Sequence, residues 1–151
     1  MSARVGIDLV SVDAVRDSLS DHGEHYLRRV YSDREVADCH TSAGSDGEPR
    51  QTEGRCEDRR SGARIDPARL AARFAAKEAA FKAIGVGDEA VSWTDVEVVR
   101  ARGGAVRLAL RGSAATLARR AGVKEFALSL SHGRDFAAAF VIAEVERVAD
   151  R

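Results

Sequence analysis

The sequence predicts an α+β domain in which one long helix packs on a small, mostly antiparallel sheet. Two observations carry this prediction. Residues 67–84 show the apolar spacing of a single long helix, and segments near both chain ends show the short apolar or alternating runs typical of strands. Turn-forming residues separate these segments, so the expected order is β-ααα-insertion-α-ββ-α-ββ. A chain of 151 residues has the usual size of one domain, and we expect residues 1–151 to form a single one.

The first part of the chain is expected to hold a strand, three short helices and an insertion. Residues 5–10 form an apolar run around Asp8, which predicts a buried strand with a carboxylate in its middle. Helices follow, with a break at Gly23 and a new start at the capping-box sequence of residues 32–35. Residues 40–64 are almost free of large aliphatic side chains and show no periodicity, so they are expected to form a flexible insertion.

The long helix is the most informative element. Asp66–Pro67 is a typical helix start, and the glycines of residues 85–87 are expected to end the helix. One apolar stripe is expected along it, formed by Leu70, Phe74, Phe81 and Ile84. Glu78 and Lys82, one turn apart, share a second face with small neighbours. That face suits a metal and a phosphate-bearing ligand, although a plain surface ion pair would show the same spacing.

The last part of the chain is expected to hold four strands and one helix. Residues 93–101 and 105–110 predict a hairpin, and Ser113 is expected to cap the helix that follows. A second hairpin is expected from residues 126–130 and 136–145. His132 lies at its turn, where a histidine can donate to a phosphate, act as an acid or base, or only close the hairpin.

Asp8 is the anomaly of the first strand. An ionised carboxylate in an apolar strand is costly unless it is paired or binds a cation, and the alternative is an edge residue that turns to solvent. Asp8 and Glu78 together would offer the hard oxygen ligands that Mg²⁺ prefers, if strand and helix bring them together. The sequence does not show that they meet.

Composition excludes several classes of function. Lys and Arg number 24 and Asp and Glu number 24, so net charge gives no reason to expect nucleic-acid binding. No apolar run approaches the roughly 20 residues of a membrane span, and we expect a cytoplasmic protein without membrane contact. Cys39 and Cys56 are too few for a disulfide framework, and with His40 they match no zinc spacing.

Three blocks of the sequence resemble the holo-acyl-carrier-protein synthase family of 4′-phosphopantetheinyl transferases. Residues 6–10 match the family's opening strand with its metal aspartate. Residues 73–85 match the signature helix R-F-x-x-K-E-A-x-x-K-A-x-G, and residues 128–132 with 137–143 match the closing hairpin. The resemblance implies the fold of that family and covers nearly everything except the insertion.

The resemblance also implies a reaction and a set of functional residues. Family members transfer 4′-phosphopantetheine from coenzyme A to a serine of an apo acyl or peptidyl carrier protein and release adenosine 3′,5′-bisphosphate. By analogy the catalytic residues are Asp8, Glu78 and Lys82. Asp8 and Glu78 would hold Mg²⁺, Glu78 would help to deprotonate the serine, directly or through a water on the metal, and Lys82 would neutralise the departing phosphate.

Further residues are expected to bind coenzyme A, which serves as the co-substrate. By the same analogy these are Lys82, Gly85, Gly87, Ser131 and His132. The family forms trimers with active sites between neighbouring subunits, so a homotrimer is expected here. Mg²⁺ is the expected cofactor.

Two departures from the family lie on the side that docks the carrier. The family's usual arginine six residues after the metal aspartate is Ala14 here, with Arg16 nearby, and the 40–64 insertion is longer than the usual connector. We therefore expect a carrier other than the standard fatty-acid one, such as a polyketide-synthase carrier. The main alternative function is a non-catalytic, carrier-binding trimer of the same fold. A metal-dependent phosphohydrolase is a third.

Overall fold

A three-stranded antiparallel sheet and one long helix form the centre of the molecule. The structure is a computed structural model that describes residues 2–41, 64–87, 89–101 and 103–146. The elements in chain order are β1 (Ser2–Ser11), α1 (Val12–Val30), α2 (Asp33–Asp38), β2 (His40–Thr41), β3 (Arg64–Ile65), α3 (Pro67–Ile84), a 3₁₀ turn (Trp93–Asp95), β4 (Val96–Arg100), β5 (Val106–Leu110), α4 (Gly112–Arg120), β6 (Val123–His132) and β7 (Phe136–Val145). The α+β prediction is confirmed.

The sheet has the order β1-β7-β6, and helix α3 covers one of its faces. Asp8 of β1 and Leu130 of β6 both pair with Ala139 of β7, which fixes the register across the three strands. The β4–β5 hairpin forms a separate two-stranded unit beside α3. Within the described residues, helix packs on one side of the sheet, so each long strand has one face towards α3 and one away from it.

The prediction of a buried first strand is wrong for half of its residues. The face of β1 that carries Gly6 and Asp8 packs towards α3, whereas Val5, Ile7 and Leu9 are 54%, 62% and 65% exposed on the other side. The outer face of β1 is the more apolar of the two, so the sequence shows an apolar run although only the face with Gly6 and Asp8 meets the helix. Phe136 and Phe140 of β7 are exposed on the same side, and we call these five residues the outer sheet face.

The predicted apolar stripe of α3 is correct at its ends only. Leu70 and Ile84 are buried, but Phe74 and Phe81 are partly exposed and pack around Trp93, with ring centroids 4.9 and 5.3 Å from the indole. The close contact with the sheet is made mainly by small residues, namely Ala75, Ala76, Ala79 and Ala83 of α3 with Ala139, Val141 and Ala143 of β7. Small side chains let a helix approach a sheet more closely than large ones.

The contact between β1 and α3 is tightest at Gly6. A Cβ placed on Gly6 would lie 1.8 Å from the carbonyl oxygen of Ala79 and 3.0 Å from the amide nitrogen of Ala83. Both are backbone atoms of α3, so no side chain can turn away to make room. Only glycine allows the strand to lie at this distance from the helix.

Local signals for the ends of the helices are mostly confirmed. Asp66 caps α3 through a 2.9 Å hydrogen bond to the amide of Ala68, and Gly85 ends it in the left-handed conformation with φ +83°. The capping box at Ser32 is present, and Gly23 interrupts α1 with φ +51°. These features depend on neighbours within a few residues, which is why the sequence reveals them.

Two local predictions in the second half are wrong. Residues 93–95 form a 3₁₀ turn, and the strand begins only at Val96. Helix α4 begins at Gly112, so Ser113 lies inside its first turn and is not the cap. The carboxylate of Asp95 accepts hydrogen bonds from the Ser113 amide at 2.9 Å and from its hydroxyl at 2.6 Å. A distant side chain thus takes the place of a local cap.

The predicted insertion lies largely outside the described residues, which resume at Arg64. At its two ends, β2 and β3 pair antiparallel, with His40 opposite Ile65. Cys39 is buried beside them, and burial raises the pKa of its thiol to about 12. Cys56 lies outside the described residues. Across the described ranges, no helix is long and apolar enough to cross a membrane.

Candidate functional site

Asp8 and Lys82 meet where β1 crosses the last turns of α3. The ammonium of Lys82 donates to the Asp8 carboxylate at 2.7 Å and to the carbonyl oxygen of Ile7 at 3.0 Å. The Asp8 side chain is 17% exposed and that of Lys82 is 51% exposed. The carboxylate is therefore enclosed and paired, while the lysine can still reach a ligand in solvent.

Glu78 lies one turn before Lys82 on α3, on the side that faces Asp8. Partial burial raises the pKa of Glu78, the charge of Asp8 raises it further, and the ammonium of Lys82 lowers it. The pKa of Lys82 is raised chiefly by its hydrogen bond to Asp8, with the charges of Asp8 and Glu78 acting in the same direction. The structure thus brings Asp8, Glu78 and Lys82 together, and we call them the site cluster.

The donor set of the site cluster suits a hard divalent cation. Asp8 and Glu78 supply two carboxylates on facing elements, and Mg²⁺ typically takes one or two protein carboxylates and completes its shell with water and phosphate oxygens. Groups of three or more His, Cys, Asp or Glu side chains that could hold a metal do not occur in the described part of the chain.

The glycine turn after α3 lies beside an arginine that sequence patterns did not single out. Arg4, on the same face of β1 as Gly6 and Asp8, donates to the carbonyl oxygen of Ile84 at 3.0 Å. A Cβ on Gly85 would lie 3.6 Å from this guanidinium. The amide of Gly87 donates to the Glu89 carboxylate at 2.8 Å. The alternation of side chains along a strand was the signal that could have placed Arg4 near the site.

Ser131 and His132 lie away from the site cluster. Ser131 pairs with Ala138 and His132 with Ala137, two strands across the sheet from β1. Both are exposed at the end of β6. Because successive residues alternate between faces, Ser131 lies on the side of the outer sheet face. The single chain therefore does not bring all the predicted site residues into one pocket.

A buried ion pair next to the site cluster was also missed by sequence reasoning. Lys77 directly precedes Glu78, and its ammonium lies 2.8 Å from the carboxylate of Glu35 on α2, with both side chains 0% exposed. The sequence pattern indicates only a capping-box role for Glu35. No spacing rule links residues 42 positions apart, so the pattern gave no signal for this contact.

Comparison with known proteins gives one consistent result. A family profile described as the 4′-phosphopantetheinyl transferase superfamily matches residues 4–141. The holo-[acyl-carrier-protein] synthase of Desulforudis audaxviator is 40% identical over 139 residues, which cover 92% of this chain and 90% of that protein. The protein of the same name from Moorella thermoacetica is 39% identical over 140 residues, which cover 92% and 91% of the two chains.

Solved structures agree with the sequence matches. The structure titled as the Chronobacterium ammoniagenes ACPS-CoA complex matches with a TM-score of 0.72 and 30% identity, covering 97% of this chain and 100% of that one. The holo-[acyl-carrier-protein] synthase of Neisseria meningitidis matches with a TM-score of 0.69 and 26% identity, covering 93% and 97%. The resemblance seen in the sequence is thereby confirmed: the chain belongs to the holo-[acyl-carrier-protein] synthase family of the 4′-phosphopantetheinyl transferase superfamily.

Proposed function

We propose that this protein transfers the 4′-phosphopantetheine group of coenzyme A to a serine hydroxyl of an apo carrier protein. The observation that carries the proposal is the site cluster, in which an enclosed Asp8 and a partly buried Glu78 lie beside the half-exposed Lys82. Relatives named holo-[acyl-carrier-protein] synthase and a structural relative titled as a coenzyme A complex support it. The serine oxygen forms a bond to the phosphorus next to pantetheine, and adenosine 3′,5′-bisphosphate leaves with the electrons of the broken P–O bond.

Asp8 and Glu78 are the residues that would hold Mg²⁺ in this reaction. When bound, the ion supplies positive charge that neutralises the diphosphate of coenzyme A. The two carboxylates come from different elements, so the tight contact of β1 with α3 sets their separation. Glu78 accepts the serine proton, a role that suits a carboxylate whose pKa is raised by burial and by Asp8.

Lys82 stabilises the leaving group, adenosine 3′,5′-bisphosphate. Its ammonium is held by Asp8 but half exposed, so it can donate to the departing phosphate oxygens as negative charge develops there. Gly85 and Gly87 let the ligand approach the backbone at the end of α3. Ser131 and His132 line the coenzyme A site from a neighbouring subunit, which accounts for their distance from the site cluster within one protomer.

The carrier is expected to differ from the standard fatty-acid one. Ala14 is exposed on α1 where the family usually has an arginine, and Arg16 already pairs with Asp13. This surface therefore offers less free positive charge to the acidic residues of a carrier. We infer a preference for another class, such as a polyketide-synthase carrier.

Product release tests both the reaction and the carrier. With coenzyme A and Mg²⁺, adenosine 3′,5′-bisphosphate measured by chromatography should appear only when an apo carrier is present, in equimolar amount with modified carrier. Initial rates should be higher with a polyketide-synthase carrier than with the fatty-acid carrier. Release without any carrier would instead indicate a phosphohydrolase. Equal rates, or a faster rate with the fatty-acid carrier, would defeat the carrier preference alone.

The proposed active form is a homotrimer that buries the outer sheet face. Five large apolar side chains, each at least 41% exposed, form this face, and contiguous apolar patches of this kind mark interaction sites. In a trimer, the outer sheet face of each subunit would be covered by neighbouring subunits. It would also bring Ser131 and His132 of one subunit towards the site cluster of the next.

A charge placed on this face should separate the subunits. For the wild type, light scattering after size exclusion should give three times the mass of one chain. Phe140→Glu should give a monomer that still folds and that transfers at least about tenfold more slowly, because a glutamate cannot be buried unpaired in an apolar interface. Ala105→Glu, at the exposed turn between β4 and β5, is the control and should stay trimeric. A monomeric wild type would contradict the trimer.

A further inference from the structure

Lys77 and Glu35 form a fully buried ion pair. We call this pair the node, because its hydrogen bonds join α3, α2 and the start of β4. The Lys77 ammonium donates to the Glu35 carboxylate at 2.8 Å, to the carbonyl oxygen of Trp93 at 3.1 Å and to the carbonyl oxygen of Val96. An ammonium has three donors, and all three are used. The Lys77 side chain is therefore held in one position by hydrogen bonds to α2, to the 3₁₀ turn and to the start of β4.

Glu35 is held as firmly as its partner. One carboxylate oxygen accepts from the amide of Val98 in β4 at 2.9 Å, and the other accepts from the amide of Ser32 at 3.0 Å besides the Lys77 ammonium. The ring of Tyr31 lies 5.8 Å from the same ammonium. The node thus ties α3 to α2 and to β4 through charges that have no contact with solvent.

Stability alone is a poor explanation for this arrangement. Removing two charges from water is costly, and a well-packed apolar pair of similar volume often replaces a buried ion pair without loss. A buried ion pair with directional hydrogen bonds can instead fix the relative position of the elements that carry it. The question is which part of the molecule needs such a position.

Among the described residues, helix α3 has no buried ion pair on its sheet side. Its hydrogen bonds to β1 lie near its C-terminal end, after Glu78. Its contact with the sheet is made largely by alanines such as Ala75, Ala79 and Ala83, and small side chains form shallow ridges that resist sliding or rotation weakly. Lys77 precedes Glu78 directly, about 100° around the helix. Fixing Lys77 on the side of α2 and β4 therefore fixes the direction in which Glu78 leaves the helix, towards Asp8.

We propose that the Lys77–Glu35 pair is a positioning device that sets the rotation and height of α3 so that Glu78 faces Asp8. Neither residue touches substrate, and both act through Glu78. The proposal rests on the proposed function in that Glu78 is taken to hold the metal and accept a proton. Its own content is the geometry of the two carboxylates, which can be measured without turnover.

The test compares two perturbations of the same helix. Lys77→Met with Glu35→Gln removes both charges at nearly constant volume, so no single buried charge is left behind. Leu70→Val, two turns earlier in α3 at a fully buried position, perturbs packing only. Each protein is measured at 15 °C, after circular dichroism has shown it folded, for Mn²⁺ affinity by electron paramagnetic resonance and for kcat and the KM of coenzyme A at saturating Mg²⁺.

We expect the double variant to bind Mn²⁺ at least threefold more weakly and to lose at least tenfold in kcat, with the KM of coenzyme A within threefold of wild type. Leu70→Val should leave all three values within twofold. A folded double variant with unchanged Mn²⁺ affinity and kcat would overturn the proposal.

If the double variant does not fold, a second variant takes its place. Glu35→Asp shortens the side chain by one methylene and must then change Mn²⁺ affinity and kcat in the same direction. A wild type that binds Mn²⁺ but transfers nothing would refute the proposed function, and the Mn²⁺ comparison would still decide the positioning role.

Discussion

Gly6→Ala is expected to cost at least about 3 kcal/mol of folding free energy and to abolish most transfer activity. Inserting a methyl group into a packed core typically costs about 1–3 kcal/mol, and more when nothing can yield. Here the added Cβ would lie 1.8 Å from the Ala79 carbonyl oxygen, which belongs to the backbone of α3. Either β1 moves away from α3 or the domain unfolds.

The activity loss follows from the position of Asp8, two residues after Gly6. A displaced β1 separates the Asp8 carboxylate from Glu78 and removes the 2.7 Å hydrogen bond from Lys82. Urea denaturation measures the free energy, and transfer to an apo carrier measures the activity. Gly133→Ala is the matched control, because its Cβ would lie 3.9 Å from the carbonyl oxygen of Phe136, an ordinary contact. A Gly6→Ala protein within about 1 kcal/mol of wild type would contradict the close approach.

Glu78→Gln is expected to slow transfer by about 10²–10⁴-fold, the usual contribution of a positioned acid or base. The amide cannot accept the serine proton and is a weaker ligand for Mg²⁺ than a carboxylate. Folding should be unaffected or slightly improved, because the charge of Glu78 is disfavoured by partial burial and by Asp8. A loss of activity in this variant would therefore reflect the chemical step and not a loss of folding.

The measurement is kcat at saturating coenzyme A and Mg²⁺, with thermal unfolding followed in parallel. Glu24→Gln is the control, since Glu24 is exposed on α1 and its pair with the equally exposed Arg28, at 3.0 Å, lies on the surface. It should transfer at the wild-type rate. If Glu78→Gln retained more than about a tenth of the wild-type kcat, Glu78 would not be the proton acceptor.

Elements whose signals are local were predictable from the sequence. The start and end of α3 depend on Asp66, Pro67 and Gly85, each of which acts on backbone groups within one turn. The exposed half of β1 was not predictable, because its outer side chains are apolar, and apolar side chains in a strand usually indicate burial. Local sequence predicts Ser113 as a helix cap, because the hydrogen bonds from Ser113 to Asp95, 18 residues earlier, have no signal in the neighbouring sequence.

The candidate site was likewise predictable only where its signals are local. Glu78 and Lys82 share a helix face by spacing alone, so the sequence places them together. Their meeting with Asp8 depends on the contact at Gly6, a tertiary approach that no periodicity encodes. The Lys77–Glu35 node was invisible for the same reason, although Lys77 stands beside Glu78 in the chain.

The most direct test of the central claim is the intact mass of an apo carrier protein incubated with this protein, coenzyme A and Mg²⁺. The site cluster predicts a gain of one phosphopantetheine group, absent with a chelator and strongly slowed by Glu78→Gln. No gain on any carrier of a panel, with coenzyme A still bound, would contradict the transferase and favour a carrier-binding protein without turnover.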